Sequence, residues 1–416
     1  MESPMEASSD DEQAPSPVCR SRRAHEAAMV GPHLFVFGGY CLLGDHEHDF
    51  EFQRNAVYAF DTVRKAWHLH RAETESRSPP PACTGASTIA VGRVIYSFGG
   101  LEVVLSSYYS RQFSNSVFAL NVDTMTWRRC EDRGGRRIAG RDKCAVCLID
   151  AGRVLMFGGW SARIDADVLE AGAQWVPDSN DVVGWNNESY VFDTESETWS
   201  SLDASGPRPS PRAAHSLVKI DASRIVLFGG REREQRLNDI HILNLDAMCW
   251  SGKIVQPADP TILWPSPRSL HTMNSVSYGP HVGCVLLGGM GVDGNCCDDF
   301  AWHLNLNEME WTKIPWCSDE FKRTWHKTCT FSSGPGYFEF YVFGGSPDNI
   351  WKPHSEDLGG PAFTSFGVKS LYLSAMEAAC KYEDRIRSDL KFLPLKIKQE
   401  FGIRLSGFKM QDHRTN

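Results

Sequence analysis

The sequence contains no run of about 18 apolar residues, so a membrane-spanning helix is not expected. No apolar segment follows the first methionine, which argues against a secretory signal peptide. Positive charge is not in excess, because the net charge is −9. Domains that follow a nucleic-acid backbone are commonly basic. We therefore expect neither a membrane nor a nucleic acid as a partner.

The cysteine content is too low for a small secreted domain that is held together by disulfides. The 13 cysteines are scattered over 416 residues, which favours reduced thiols and a location in the cytoplasm, the nucleus or both. The CxxC pair Cys144 and Cys147 lies in strand-like sequence, where an odd spacing points two side chains to opposite faces. These thiols are not expected to share a metal ion or a redox partner, and we predict no cofactor.

Internal repeats replace the two or three domains that the length alone suggests. A short apolar run ending in Gly-Gly occurs six times, with the second glycines 56 to 71 residues apart. Before these runs, residues 1–16 are acidic and predicted to be a disordered tail. The six pairs are Gly38-Gly39, Gly99-Gly100, Gly158-Gly159, Gly229-Gly230, Gly288-Gly289 and Gly344-Gly345.

Two further signals accompany the Gly-Gly runs. After each of the first five, a strand-like run ends in Asp or Asn, and a tryptophan lies six residues beyond. These pairs are Asp61/Trp67, Asn121/Trp127, Asp193/Trp199, Asn244/Trp250 and Asn305/Trp311. Before four of the runs stands Arg-x-x-His, at Arg22/His25, Arg212/His215, Arg268/His271 and Arg323/His326. Each unit thus predicts four short strands, the first of them carrying Arg-x-x-His.

These features resemble the kelch repeat. The resemblance implies an all-β fold, a six-bladed kelch β-propeller over residues 17–368. The sixth unit has no Asx and tryptophan after its Gly-Gly, so the way the ring closes is not predicted.

Segments of three repeats resemble a narrower group. They are GW-N in the third unit, PSPRAAHS and FGGREREQRLND in the fourth, and PRSLHTM in the fifth. They are similar to the kelch-domain-containing protein 2 group, substrate receptors of cullin-2 ubiquitin ligases that recognise C-termini ending in Gly-Gly. The resemblance implies a non-catalytic receptor whose partners are substrate C-termini, elongin B/C, and cullin-2 with its RING subunit.

The same resemblance assigns the binding residues. Arg231 and Arg236 would hold the substrate carboxylate, which suits their forked guanidinium groups, and Ser269 would assist them. The pocket wall would consist of Tyr40, Lys143, Trp160, Trp185, Leu270 and Trp325. Three features depart from the group: Trp160 stands where tyrosine is usual, Leu270 stands where tryptophan is usual, and the short loop carries the extra charges Glu232, Arg233 and Glu234. A strict preference for Gly-Gly is therefore left open.

The C-terminal part changes character. Residues 369–403 are rich in helix formers and predict a short α-helical tail, followed by a flexible C-terminus at 404–416. This helix resembles the BC-box that binds elongin C and a cullin-2 box. The docking residues would be Leu371, Met376, Cys380, Leu393, Pro394 and Ile397. An ordinary amphipathic helix that caps the propeller is the alternative.

Two other function classes are alternatives to a ligase receptor. An enzyme is disfavoured, because no nucleophile–base set or phosphate-binding loop is present and several histidines occupy a repeated, structural slot. A kelch scaffold that binds a protein through its loops, without recruiting a ligase, stays open.

Overall fold

The structure is a computed structural model, and it describes most of the repeat region. The ranges are 19–42, 50–52, 55–75, 80, 83–103, 111–131, 133–134, 136–165, 168–278, 281–315, 317–334, 337–347 and 362–366. The predicted tail at 1–16, the helix at 369–403, the terminus at 404–416 and all six docking residues lie outside the described residues. Within them, no helix is long and apolar enough to cross a membrane.

The described chain is built almost wholly of short strands. The first two repeats contain β1 (Glu26–Val30), β2 (His33–Phe37), β3 (Tyr40–Leu42), β4 (Phe50–Phe52), β5 (Ala56–Asp61), β6 (Ala66–Arg71), β7 (Glu73–Thr74), β8 (Cys83–Thr84), β9 (Ser87–Val91), β10 (Val94–Phe98), β11 (Leu101–Val103), β12 (Arg111–Phe113), β13 (Val117–Asn121) and β14 (Thr126–Arg129).

The later repeats follow the same scheme. The third and fourth contain β15 (Arg141–Asp142), β16 (Ala145–Leu148), β17 (Arg153–Ala162), β18 (Trp175–Pro177), β19 (Val183–Asp193), β20 (Thr198–Ser201), β21 (Ser216–Lys219), β22 (Arg224–Glu232), β23 (Gln235–Asn244) and β24 (Cys249–Trp250). The fifth and sixth contain β25 (Thr272–Tyr278), β26 (His281–Leu287), β27 (Ala301–Asn305), β28 (Glu310–Lys313), a 3-10 turn at Asp319–Phe321, β29 (Lys327–Gly334), β30 (Tyr337–Phe343) and β31 (Ala362–Phe366).

Each Gly-Gly strand lies inside an antiparallel sheet. In the first repeat the strand order is β1-β2-β5-β6, and the fourth and fifth repeats repeat it as β21-β22-β23-β24 and β25-β26-β27-β28. The sheet of the sixth repeat is β29-β30-β31. The first strands contact one another in succession, β1 with β9, β9 with β16, β16 with β21, β21 with β25, β25 with β29, and β29 with β1. The predicted all-β repeat fold is confirmed.

The Arg-x-x-His prediction was partly wrong. In the four repeats that carry the motif, the first strand begins at the residue after the histidine, as β1 does after His25 and β21 does after His215. The third position of the motif has positive φ, for example +55° at Ala214. A positive φ interrupts an extended strand, because L-residues in a strand have negative φ. The motif is therefore a turn that leads into the strand.

The motif's arginine and the Gly-Gly pair depend on each other. Arg212 is fully buried and donates from Nη1 to the carbonyl of Gly229 at 3.1 Å, and four other repeats show the same bond. A Cβ on Gly288, which has φ of +63°, would lie 2.2 Å from the carbonyl oxygen of Arg323 in the next repeat. Glycine is thus required where one repeat's backbone meets its neighbour.

The five tryptophans of the Asx-x5-Trp signal join neighbouring repeats. Each is buried and packs against the phenylalanine that precedes the Gly-Gly of the repeat before it. Trp67 of the first repeat packs in the same way against Phe343 of the sixth, at 5.3 Å between ring centroids. The other pairs are Trp127 with Phe37, Trp199 with Phe98, Trp250 with Phe157 and Trp311 with Phe228. Aromatic pairs of this kind stabilise beyond the area that they bury.

The two cysteines of the CxxC pair lie in different core clusters. Cys144 packs with Phe98 and Trp199, whereas Cys147 packs with Leu227 and Trp250. Burial raises the pKa of both thiols, that of Cys147 to about 12. The prediction that they point to opposite faces is confirmed.

The motif histidines make stability depend on pH. Burial, and then the charge of Arg268, lower the pKa of His271 from 6.5 to about 3. His271 therefore binds a proton near pH 6.5 in the unfolded chain but only near pH 3 in the folded chain. This contribution to stability is complete above pH 6.5 and is lost as the pH falls towards 3.

We expect the urea midpoint of unfolding to decrease as the pH is lowered from about 7 to about 5. In His271→Gln this decrease should be smaller, because the slope of the unfolding free energy against pH loses the contribution of up to one proton. Equal slopes in the two proteins would contradict a neutral, buried His271.

Candidate functional site

The positive-φ positions of the six repeats line one cavity. They are Ala24, Gly85, Lys143, Ala214, Leu270 and Trp325, called here the inner ring. The backbone N–H of each member from Gly85 onwards donates to the carbonyl of the preceding member, from Gly85 to Ala24 at 3.0 Å through to Trp325 to Leu270 at 3.4 Å. The cavity has a volume of about 110 Å³. Five of the members carry a Cβ, and all six line this cavity.

A second set of positions lies beside the inner ring. The residue that follows each Gly-Gly pairs, antiparallel, with the residue before the inner-ring member of its own repeat. This outer set is Tyr40, Leu101, Trp160, Arg231, Met290 and Ser346. Arg231, for instance, pairs with Ala213 through two backbone hydrogen bonds of 2.9 and 3.0 Å. Three of the expected site residues, Tyr40, Trp160 and Arg231, therefore occupy equivalent positions in their repeats.

Arg231 and Arg236, the pair that the resemblance assigns to the substrate carboxylate, lie directly opposite each other across the turn that joins β22 to β23. Arg231 donates from Nε to the carbonyl of Arg233 at 2.6 Å and pairs with Glu234 at 3.3 Å. The Glu234 side chain is 93% exposed. A surface ion pair of this kind contributes little, so an incoming carboxylate can displace Glu234.

Arg236 is the more unusual member of the pair. Its Nη2 contacts the sulfur of Met290 at 2.9 Å, and its buried Nε has no hydrogen-bond partner among the described residues. Burial and, after it, the charge of Arg231 lower the pKa of Arg236. No carboxylate of the described chain forms an ion pair with it. The two directly opposed positive charges are destabilising by themselves and favour an anion.

Lys143 lies between two of the expected wall residues. Its Nζ is 5.0 Å from the ring centre of Trp160 and 5.8 Å from that of Trp325, and it also pairs with Asp142. The ring of Tyr40 packs edge-on against that of Trp325, at 6.4 Å between ring centroids. The structure thus brings these four predicted residues together in a cation–aromatic cluster.

The other predicted residues connect this cluster to the arginines. Trp185 lies opposite Trp160 on the neighbouring strand, and the guanidinium of Arg231 lies 6.0 Å from its ring centre. Ser269 is 2% exposed, and its backbone pairs with Met290, the residue that contacts Arg236. Leu270 follows as an inner-ring member.

Sequence reasoning missed Met290 and Asp142. Met290 is the outer-set residue of the fifth repeat, so an alignment of the residues after each Gly-Gly would have found it. Asp142 precedes an inner-ring lysine and compensates its charge. Among the described residues no group of three His, Cys, Asp or Glu side chains could hold a metal ion.

Comparison with known families identifies the repeats. The family model described as the KLHDC2/KLHL20/DRC7 Kelch-repeats domain matches residues 7–174 and 172–358. Its description indicates no catalytic family.

Individual relatives are similar over most of this chain. The chain is 29% identical over 409 residues to kelch domain-containing protein 1 of Mus musculus, covering 95% of this chain and 93% of that protein. It is 30% identical over 396 residues to kelch domain-containing protein 2 of Homo sapiens, covering 92% and 91%. A more distant similarity, 25% over 329 residues, links it to host cell factor 2 of Homo sapiens, where it covers 74% of this chain and 37% of that protein.

Proposed function

This chain belongs to the kelch-repeat family whose members include kelch domain-containing proteins 1 and 2, and from that premise we propose that it is a substrate receptor of a cullin-2–elongin B/C ubiquitin ligase. Its ligand would be the C-terminus of a target protein, ending in glycine. The binding element would be a six-bladed propeller. The observation that carries the proposal is the opposed pair Arg231 and Arg236, whose second member has no carboxylate partner in the described chain.

A terminal carboxylate suits this pair in charge and shape. Guanidinium groups stay protonated at physiological pH and bind both oxygens of a carboxylate. The carboxylate would displace Glu234 from Arg231 and supply the partner that Arg236 lacks. A backbone amide in the middle of a protein carries no such charge, so the clamp distinguishes chain ends from internal segments.

The aromatic cluster limits the size of the terminal residue. Trp185 supports Arg231 from one side, and Trp160, Lys143 and Trp325 form a contiguous surface beside it. Small terminal residues leave room for the carboxylate to reach both arginines. Leu270 supplies less bulk than the tryptophan usual at that position, so residues slightly larger than glycine are part of the proposed range.

Ligase recruitment would reside in the C-terminal tail. The proposal assigns elongin C to Leu371, Met376 and Cys380, and cullin-2 to Leu393, Pro394 and Ile397, all outside the described residues. A helix that inserts apolar anchors into a groove is a known recognition mode. The receptor would act in the cytoplasm, the nucleus or both.

Deleting residues 368–416 tests recruitment. We expect the full chain to capture purified elongin B/C and cullin-2, and the truncated chain to lose both while keeping its peptide affinity, because the clamp lies in the propeller. The double variant Leu393→Ala and Pro394→Ala should lose cullin-2 alone. Capture by neither chain would support the scaffold alternative instead, and equal capture by both chains would show that the tail does not recruit the ligase.

A further inference from the structure

The third repeat has the longest connection between its Gly-Gly and its Asx residue, and buried hydrogen bonds and an ion pair hold that connection in place. Glu170 lies in it, and its side chain is 3% exposed. One carboxylate oxygen accepts from the N–H of Ser189 at 2.6 Å and from Nη1 of Arg208, also at 2.6 Å. Nη2 of Arg208 reaches the other oxygen at 3.3 Å. Glu170 therefore ties the connection both to β19 and to the segment that enters the fourth repeat.

A second carboxylate, that of Glu188, connects this network to the motif arginine and the Gly-Gly pair of the third repeat. Glu188 accepts from the backbone N–H of Glu170 at 2.9 Å and from the hydroxyl of Tyr190 at 2.7 Å, and it pairs with the buried Arg141. Arg141 in turn donates to the carbonyl of Gly158 at 3.2 Å. Within this network Glu170 pairs with Arg208 and Glu188 pairs with Arg141, so its charges are balanced.

A third anchor lies closer to the binding site. The side chain of Asn187 accepts from the N–H of Gln174 at 2.6 Å and donates to the carbonyl of Pro209 at 2.8 Å. Arg208 also donates to the carbonyl of Asn187 at 3.3 Å. Residues 187–189 are thus fixed from two sides, and Trp185 lies two residues away on the same strand.

We infer that Glu170 and Arg208 are positioning residues that set the size limit of the terminal-residue pocket by fixing β19 and, through it, the Trp185 wall. The inference rests on the proposed C-terminus recognition and deepens it. Neither residue touches the ligand. Loosening the pair lets Trp185 yield to a larger terminal side chain, whereas Arg236 lies outside the network and keeps its preference for a free carboxylate.

The experiment compares three short fluorescein-labelled peptides on the full-length protein. One ends in Gly-Gly, the second has valine as its last residue, and the third is the Gly-Gly peptide with an amidated end. The variants are Glu170→Gln and Arg208→Met. The control is Asp181→Asn, because Asp181 lies in the same connection but its pair with Arg163 is exposed.

Wild-type protein should favour glycine over valine, and this ratio should fall roughly tenfold in both variants, a change expected when a pocket gains room for a few methyl groups. The control should keep the wild-type ratio. Hydrogen exchange at residues 183–189 should accelerate in the two variants only. The preference for the free over the amidated end should persist in all proteins.

Two results would overturn the inference: a wild-type glycine-to-valine ratio with unchanged exchange in both variants, or an equal loss of selectivity in Asp181→Asn. Failure of the proposed function looks different, since wild-type protein itself would then bind the free and amidated peptides equally. If Glu170→Gln does not fold, Arg208→Met, whose side chain is 20% exposed, decides the question.

Discussion

Replacing Arg236 with alanine should weaken the binding of a peptide with a free C-terminal Gly-Gly by about 2–5 kcal/mol, the cost of removing one partner of a desolvated charge pair. The guanidinium is half-buried, and Arg231 and Met290 surround it without neutralising it. Under the proposed function, a bound carboxylate would be its main counter-charge. Isothermal titration calorimetry with the free and amidated peptides measures the effect, which should be confined to the free form.

Arg233 is the matched control for Arg236. It lies in the same turn and has a positive φ, and it is exposed. An exposed charge contributes at most about 1 kcal/mol, so Arg233→Ala should change the affinity little. A similar loss in both variants would show that only the overall charge of the turn matters, which contradicts a clamp.

Replacing Arg212 with methionine should lower the free energy of unfolding by about 3–5 kcal/mol, as expected when a buried ion pair loses one partner. Arg212 is fully buried and bonds Asp239 at 2.8 and 3.1 Å. Burial alone would raise the pKa of Asp239, but hydrogen bonds from His241 and Arg212 hold it well below its usual range. The variant leaves that carboxylate buried and undercompensated. Urea denaturation at neutral pH measures the change.

Arg153→Met is the control for Arg212. Its pair with Asp150 is exposed on both sides, at 54% and 45%, so it should cost at most about 1 kcal/mol. If Arg212→Met were as mild as this control, the repeated arginine would not support the frame of the repeats.

The repeated strands were predictable because each rests on local chemistry. Asp61, for example, accepts hydrogen bonds from the N–H groups of Val63 and Arg64 at 2.8 and 2.9 Å, as an Asx turn requires. The tryptophan six residues later then faces the neighbouring repeat. The Asx residue and its tryptophan lie within a few residues of each other, so this signal can be recognised in a single sequence.

The inner ring was not predictable in the same way. Of its six members, only Gly85 is a residue type that indicates a positive φ in a sequence. Lys143 and Trp325 adopt φ of 51° and 60° because hydrogen bonds to neighbouring repeats hold them there. Those bonds join residues more than 50 positions apart. The contact between Arg236 and Met290 is likewise long-range, so the sequence assigned Arg236 by resemblance without revealing its surroundings.

The proposed function requires this propeller to recognise a free carboxylate at the end of a protein. The most direct test is the affinity of the wild-type protein for one peptide ending in Gly-Gly, measured with a free and with an amidated C-terminus. The free form should bind more tightly by at least roughly 30-fold, since losing a desolvated charge partner costs 2 kcal/mol or more. Equal affinities for the two forms would contradict the claim.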